Sequence, residues 1–169
     1  MNAALADPRY RSPHWLPGGH AQTIWPLLIK GPLPPYRRER WTTPDNDFID
    51  LDWIAGKADA PCVVLFHGLE GSSASHYAHD LMHTARLRGW NGVVAHFRGC
   101  SGELNLAPRA YHSGDSAEID WVVRRLATRE PALHAVGVSL GGMVAMQWCG
   151  DHARDFVGVA LVNTSAGNL

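Results

Sequence analysis

The stretch AVGVSLGGM, from Ala135 to Met143, has the residue types and spacing of a serine nucleophile. Gly137 to Gly141 reads G-x-S-x-G, and it separates a β-branched run from an amphipathic helical pattern. In such a strand–turn–helix the turn lifts the serine hydroxyl clear of the sheet, and the glycines remove side chains that would collide there. We therefore predict that Ser139 attacks an acyl carbonyl. A glycine-rich turn that only permits close packing is the alternative.

A second candidate element is the loop HGLEGSSASHY (67–77), which directly follows the apolar run CVVLF. Acyl transfer passes through an oxyanion that needs preorganised hydrogen-bond donors. One donor in this arrangement is the N–H after the nucleophile, here Leu140. The other comes from the loop after the earlier strand, where we predict Leu69. A turn in which His67 only caps the strand is the alternative.

A serine nucleophile also needs a base and an orienting acid, and after Ser139 the candidates are Asp151, His152 and Asp155. The helix that follows Ser139 is predicted to run to about Gly150. At ~1.5 Å per residue, His152 would lie nearly 20 Å along that helix, on the surface. The base is therefore expected elsewhere.

Several upstream histidines are candidates for the same task. His67 lies closest to the expected site but has no obvious carboxylate partner, and no role follows from the sequence for His20 or His112. His76, His79 and His83 share one helical face, as metal ligands could. The apolar residues of the same helix fall on the opposite side, so these three are predicted to form a solvated face without a metal.

The rest of the chain predicts the elements that would carry these residues. Short β-branched runs fit strands buried on both faces; they are CVVLF (62–66), GVVAHF (92–97), ALHAVGV (132–138) and VGVALV (157–162). FIDLDWI (48–54) alternates and predicts a half-buried strand, and a further strand is allowed near ERWTT (39–43). Helices are predicted around 78–85, 119–126 and 140–150. This alternation predicts an α/β fold, a mostly parallel sheet with helices on both faces.

Two local signals refine this picture. Asp115, with Glu118 three residues later, predicts a capping box at the start of a helix. Eight of the eleven prolines lie in residues 1–44, which disfavours long helices and central strands there. We expect residues 1–44 to form an irregular arm that packs on the core, and residues 45–169 to form the α/β domain.

Composition excludes several functional classes. Fifteen Lys and Arg against sixteen Asp and Glu give a net charge of −1, which disfavours a nucleic-acid partner. The densest basic run, Arg37, Arg38 and Arg40, is predicted to be a solvated loop. Three well-separated cysteines argue against a disulfide framework and favour the cytoplasm. We expect neither an export signal nor a membrane-spanning segment.

Five stretches together resemble the α/β-hydrolase superfamily and, within it, the YheT-like branch of predicted esterases. They are WLPGGHAQTIWPLL (15–28), HGLEGSSASHY (67–77), HFRGCSGELN (96–105), RAYHSGD (109–115) and GVSLGG (137–142). The resemblance implies a sheet of about eight strands, of which about six are predicted here, with the last strands and C-terminal helices missing. It also implies that the acid and the histidine follow Ser139 in that order, beyond Leu169.

The resemblance implies a carboxylic ester hydrolase that uses Ser139 with the Leu69 and Leu140 N–H groups, a small-molecule ester and no metal or organic cofactor. Without its base, this chain is expected to be inactive or weakly active. The alternative is a non-catalytic remnant that binds or dimerises. It would use the open edge of strand 157–162, whose unpaired backbone groups could recruit another strand.

Overall fold

The computed structural model describes residues 13–29, 31–113, 115–130, 132–152 and 157–162. The chain divides into two compact units between Gly31 and Pro32. The first unit contains helix α1, Gly19–Leu28, and the rings of Trp15 and Trp25 meet edge to face with their centroids 5.4 Å apart. The prediction of an irregular segment is therefore wrong for the residues of α1. Packing of an N-terminal arm on the core stays a prediction.

The second unit contains a six-stranded sheet. Its strands are β1 (Arg37–Thr42), β2 (Phe48–Ile54), β3 (Cys62–Phe66), β4 (Asn91–Ala95), β5 (Leu133–Val138) and β6 (Gly158–Val162). Their order is β1-β2-β4-β3-β5-β6; β2 is antiparallel to both of its neighbours, β1 and β4, whereas β4, β3, β5 and β6 are parallel. Because β3, β4 and β5 are parallel, the loops that follow them meet at one edge of the sheet.

Helices cover both faces of this sheet, as predicted. They are α2 (His76–Leu87), α3 (Ser116–Ala127) and α4 (Leu140–His152). On one face, β2 to β5 pack against α3 and α4 in a cluster that includes Phe66, Val123 and Trp148. On the other face, Ala78 and Met82 of α2 pack against the sheet. The mostly parallel α/β architecture is confirmed.

The acidic face of β2 is buried, so the prediction of a half-buried strand is wrong. All seven residues of β2 are buried, including Asp50 and Asp52. Arg40 and Arg38 of β1 lie directly opposite them, and each guanidinium donates two hydrogen bonds of 2.8 Å to its partner's carboxylate. These forked pairs satisfy the carboxylates. The arginine run therefore lies on a strand and not in a solvated loop.

The predicted capping box does not form. Asp115 is the N-cap residue of α3, but its side chain makes no capping hydrogen bond and instead accepts one from Arg109. Glu118 accepts a hydrogen bond from Arg98. Both carboxylates are buried, where an arginine partner is worth more than a backbone N–H because a buried charge needs a counter-charge.

Strand β6 lies at the sheet edge and pairs with β5 alone among the strands described. Val159, Leu161 and Val162 are each more than 40% exposed, which contradicts the expectation of a strand buried on both faces. Beside the strand, a cavity of about 360 Å³ opens between α2, β5 and β6. The apolar edge anticipated from the sequence is therefore present.

Candidate active site

The turn between β5 and α4 holds Ser139 in a strained conformation. Its φ is +53°, a left-handed value that a non-glycine residue rarely adopts and that commonly marks functional sites. The Ser139 N–H donates to the carbonyl of Val162 at 2.9 Å, and its carbonyl accepts the N–H groups of Gly142 and Met143. The serine is exposed at the carboxyl edge of the sheet, at the N-terminal end of α4.

The glycines around Ser139 are sterically required. A Cβ on Gly141 would lie 2.2 Å from the carbonyl oxygen of Phe66, at the end of β3. A Cβ on Gly137 would lie 2.5 Å from the Cα of Gly142. The turn therefore needs glycine before and after the serine, which is the geometry that the G-x-S-x-G pattern predicted.

The loop after β3 lies directly beside the serine. A Cβ on Gly68 would be only 3.3 Å from the Cβ of Ser139. The next residue, Leu69, is 69% exposed, and its N–H makes no hydrogen bond within the part of the chain that the structure describes. Leu140 is the first residue of α4, so its N–H has no acceptor within that helix. The structure thus brings the three predicted residues together; their roles stay predictions.

His67 is a fixed, neutral part of this loop. It is fully buried, and burial lowers its pKa to about 4. One ring nitrogen, Nε2, accepts the N–H of Phe97 at 3.0 Å, so Nδ1 carries the proton and donates it to the carbonyl of Gly68 at 2.8 Å. With both nitrogens engaged, His67 links the loops after β3 and β4 and cannot take a proton from Ser139.

A buried polar network that the sequence did not reveal supports the same loop. Asp52 accepts hydrogen bonds from Nε2 of His96, at 2.9 Å, and from the Ser73 hydroxyl. Burial alone would raise the pKa of Asp52, but its hydrogen bonds, the one from Arg38 foremost, hold the pKa well below its usual range. The Tyr36 hydroxyl donates to the carbonyl of Ser73 at 3.2 Å. The network ties the loop to β1, β2 and β4.

The histidine-bearing side of α2 is partly buried. His79 is buried, and neither of its ring nitrogens has a hydrogen-bond partner among the described residues, so the prediction of a solvated face is wrong for it. The described residues contain no group of three or more His, Cys, Asp or Glu that could hold a metal. His152 is the last residue of α4, roughly 20 Å along it from Ser139, as predicted. Asp155 lies outside the described residues.

Comparison with known proteins decides the family. The sequence profile of the α/β-hydrolase fold matches residues 61–168. The chain belongs to the α/β-hydrolase family. It is 48% identical over 130 residues to YheT of Escherichia coli (strain K12), an esterase by name; the match covers 73% of this chain and 38% of YheT. The resemblance to the YheT-like branch is confirmed.

More distant hydrolases agree with this assignment. The human phospholipase ABHD3 is 30% identical over 147 residues, which cover 80% of this chain and 36% of ABHD3. This chain thus spans less than two fifths of the length of either relative. Mouse α/β-hydrolase domain-containing protein 10 superposes with a TM-score of 0.65 at 15% identity, over 77% of this chain and 50% of that one. An esterase of Pyrococcus furiosus superposes with a TM-score of 0.61 at 23% identity, over 78% of this chain and 55% of the esterase. Both structures share the fold.

Proposed function

We propose that this hydrolase cleaves carboxylic esters with Ser139 as its nucleophile. The observation that carries the proposal is the strained Ser139, at φ +53°, beside Gly68 of the loop after β3. The named esterase and phospholipase among the relatives support ester hydrolysis in general. The substrate would be a small-molecule ester.

The geometry suggests how the residues would act. The Ser139 hydroxyl would attack the ester carbonyl while a base takes its proton, and the N–H groups of Leu69 and Leu140 would donate to the oxyanion. The N-terminus of α4 adds a favourable dipole for that negative charge. The alcohol would leave with the proton, and water would then hydrolyse the acyl-enzyme. No step needs a metal or an organic cofactor.

The base and the acid are proposed to come from outside this chain. His67 is excluded by its two hydrogen bonds, and His152 by its distance along α4. We therefore expect the 169-residue chain alone to be inactive or weakly active.

None of the helices in the described residues has the length and apolar character needed to cross a bilayer. A cytoplasmic location stays a prediction.

Fluorophosphonate labelling, read by intact mass, tests this proposal. These reagents phosphonylate a serine that a neighbouring base activates, so we expect slow or absent labelling of the folded chain. Added imidazole, a small soluble base, should accelerate labelling at one site. Ser139→Ala should abolish that adduct, whereas Ser116→Ala, at the start of α3, should not.

The labelling results test the proposed nucleophile and the proposed external base separately. Labelling that survives Ser139→Ala, or its absence even with imidazole, would show that Ser139 is not the nucleophile. Fast labelling without imidazole, lost in Ser139→Ala, would show that this chain or its oligomer supplies a base. The proposed nucleophile would then stand, and the proposed external base would be wrong.

The exposed edge of β6 favours a second candidate, a module that binds or dimerises without catalysis. Val159 and Leu161 of β6 are 41% and 42% exposed, and β5 is the only described strand that pairs with β6, so its other edge can pair with another strand. This candidate predicts a molar mass that rises with concentration in light scattering. Leu161→Lys should keep the chain monomeric, and Leu104→Lys, at a site already 88% exposed on a loop, should not. A monomer that turns over esters would rule the module out.

A further inference from the structure

Three consecutive backbone N–H groups in the loop after β3 differ in their partners. The Gly68 N–H donates to the hydroxyl oxygen of Tyr77 at 3.1 Å. The Glu70 N–H donates to the hydroxyl oxygen of Tyr111 at 2.8 Å. Between them, the Leu69 N–H makes no hydrogen bond to any residue that the structure describes. Two tyrosine hydroxyls therefore fix the peptide groups on either side of the one N–H left for a ligand.

The loop conformation depends on these contacts. Glu70 has a φ of +51°, which is unfavourable for a residue with a side chain and persists only where surrounding contacts impose it. Its hydrogen bond to Tyr111 is such a contact. The ring of Tyr111 stacks on Phe97 with 5.1 Å between centroids and 5° between planes, which fixes the position of its hydroxyl.

Gly71 of the loop leaves space for the hydroxyl group of Tyr77. A Cβ on Gly71 would lie 2.4 Å from the hydroxyl oxygen of Tyr77, so any larger residue would displace it. Gly71 also closes a turn by donating its N–H to the carbonyl of Gly68 at 2.9 Å. The glycine and the tyrosine are therefore matched, although one lies in the loop and the other in α2.

We propose that Tyr77 and Tyr111 are positioning residues that hold the Leu69 N–H toward the oxyanion formed at Ser139. Neither hydroxyl takes a proton in the reaction; each accepts a backbone N–H, and the Tyr111 hydroxyl also shares a hydrogen bond with the Cys100 thiol. The inference rests on the proposed function, because it assigns these tyrosines to an oxyanion donor. It adds two residues that the G-x-S-x-G and HG motifs do not contain.

Amide hydrogen exchange, followed by NMR on the full chain, tests the holding role without any reaction. Tyr77→Phe should speed exchange at the Gly68 N–H about tenfold, and Tyr111→Phe should do the same at Glu70, because each loses its acceptor. Tyr36→Phe is the matched control, since its hydroxyl donates to the carbonyl of Ser73 in the same loop. It should leave both amides unchanged.

Imidazole-supported phosphonylation tests the role at the oxyanion. Each tyrosine variant should lower the limiting rate at Ser139 about tenfold without changing the half-saturating reagent concentration, because only the transition state loses an aligned donor. Unchanged exchange at Gly68 and Glu70, or an unchanged limiting rate, would overturn the inference. If the unaltered chain is never phosphonylated, the proposed function fails, and the exchange rates alone decide whether the tyrosines hold the loop.

Discussion

Replacing Gly141 with alanine is expected to destabilise the chain by about 3 kcal/mol or more, at the upper end of overpacking effects. The added Cβ would lie 2.2 Å from the carbonyl oxygen of Phe66 and 2.5 Å from that of His67. Both obstacles are backbone atoms. Phe66 pairs with β4 on one side and β5 on the other, so the strand cannot shift without disturbing the centre of the sheet. Urea unfolding at 25 °C measures the difference.

Gly150→Ala provides a control on the same helix. A Cβ at Gly150 meets nothing within 4 Å, so alanine should stabilise α4 by roughly 0.5–1 kcal/mol through its higher helix propensity. The two substitutions are chemically identical and should have opposite signs. A Gly141→Ala variant as stable as the original chain would contradict the close approach of α4 to the end of β3.

The local features of this molecule were predictable because they depend on neighbouring residues. The turn at Ser139 follows from two glycines and a change from a strand pattern to a helical one, within a few residues. The strands β3, β4 and β5 follow from continuous apolar runs. The loop of Leu69 was predicted by its position after β3. The family confirms the fold that these patterns indicated.

The predictions were wrong where residues distant in the sequence determine the burial or the hydrogen-bond partner of a side chain. The alternating pattern of its strand predicts that Asp52 faces solvent, but Arg38, 14 residues away, donates hydrogen bonds to its buried carboxylate. His79 lies on the polar side of a helical pattern, yet the fold buries it. Asp115 and Glu118 fit a capping box, but arginines bind their carboxylates. Sequence spacing does not show which buried charge will find which partner.

The sequence did not reveal the two tyrosines that contact the loop after β3, for the same reason. Tyr77 lies nine residues from Gly68, and Tyr111 lies 41 residues from Glu70. Both occur in stretches that carry the family resemblance, but nothing in their spacing indicates a contact with this loop. A hydroxyl that accepts a backbone N–H leaves no pattern of its own. Only the folded arrangement shows it.

Arg98 organises the loop after β4 through a buried charge cluster. Its guanidinium donates to Asp47 at 2.8 Å, to Asp45 at 3.0 Å and to Glu118, and only 2% of its side chain is exposed. It directly follows Phe97, whose N–H binds His67. Burial raises the pKa of Glu118. Burial alone would also raise the pKa of Asp47, but hydrogen bonds to its carboxylate keep that pKa well below its usual range.

Arg98→Met is therefore expected to reduce the free energy of unfolding at pH 7 by about 3–5 kcal/mol, because it leaves Asp47 and Glu118 buried without a cation. Without that cation the pKa of Glu118, which burial already raises, should rise further, so its protonation should relieve part of the loss as the pH falls from 7 to 5. Arg124→Met is the control: its pair with Asp120 is an exposed i,i+4 contact on α3, worth about 0.3–0.5 kcal/mol. Urea unfolding at both pH values measures the difference. Equal effects of the two substitutions would show that the Arg98 cluster does not stabilise the fold.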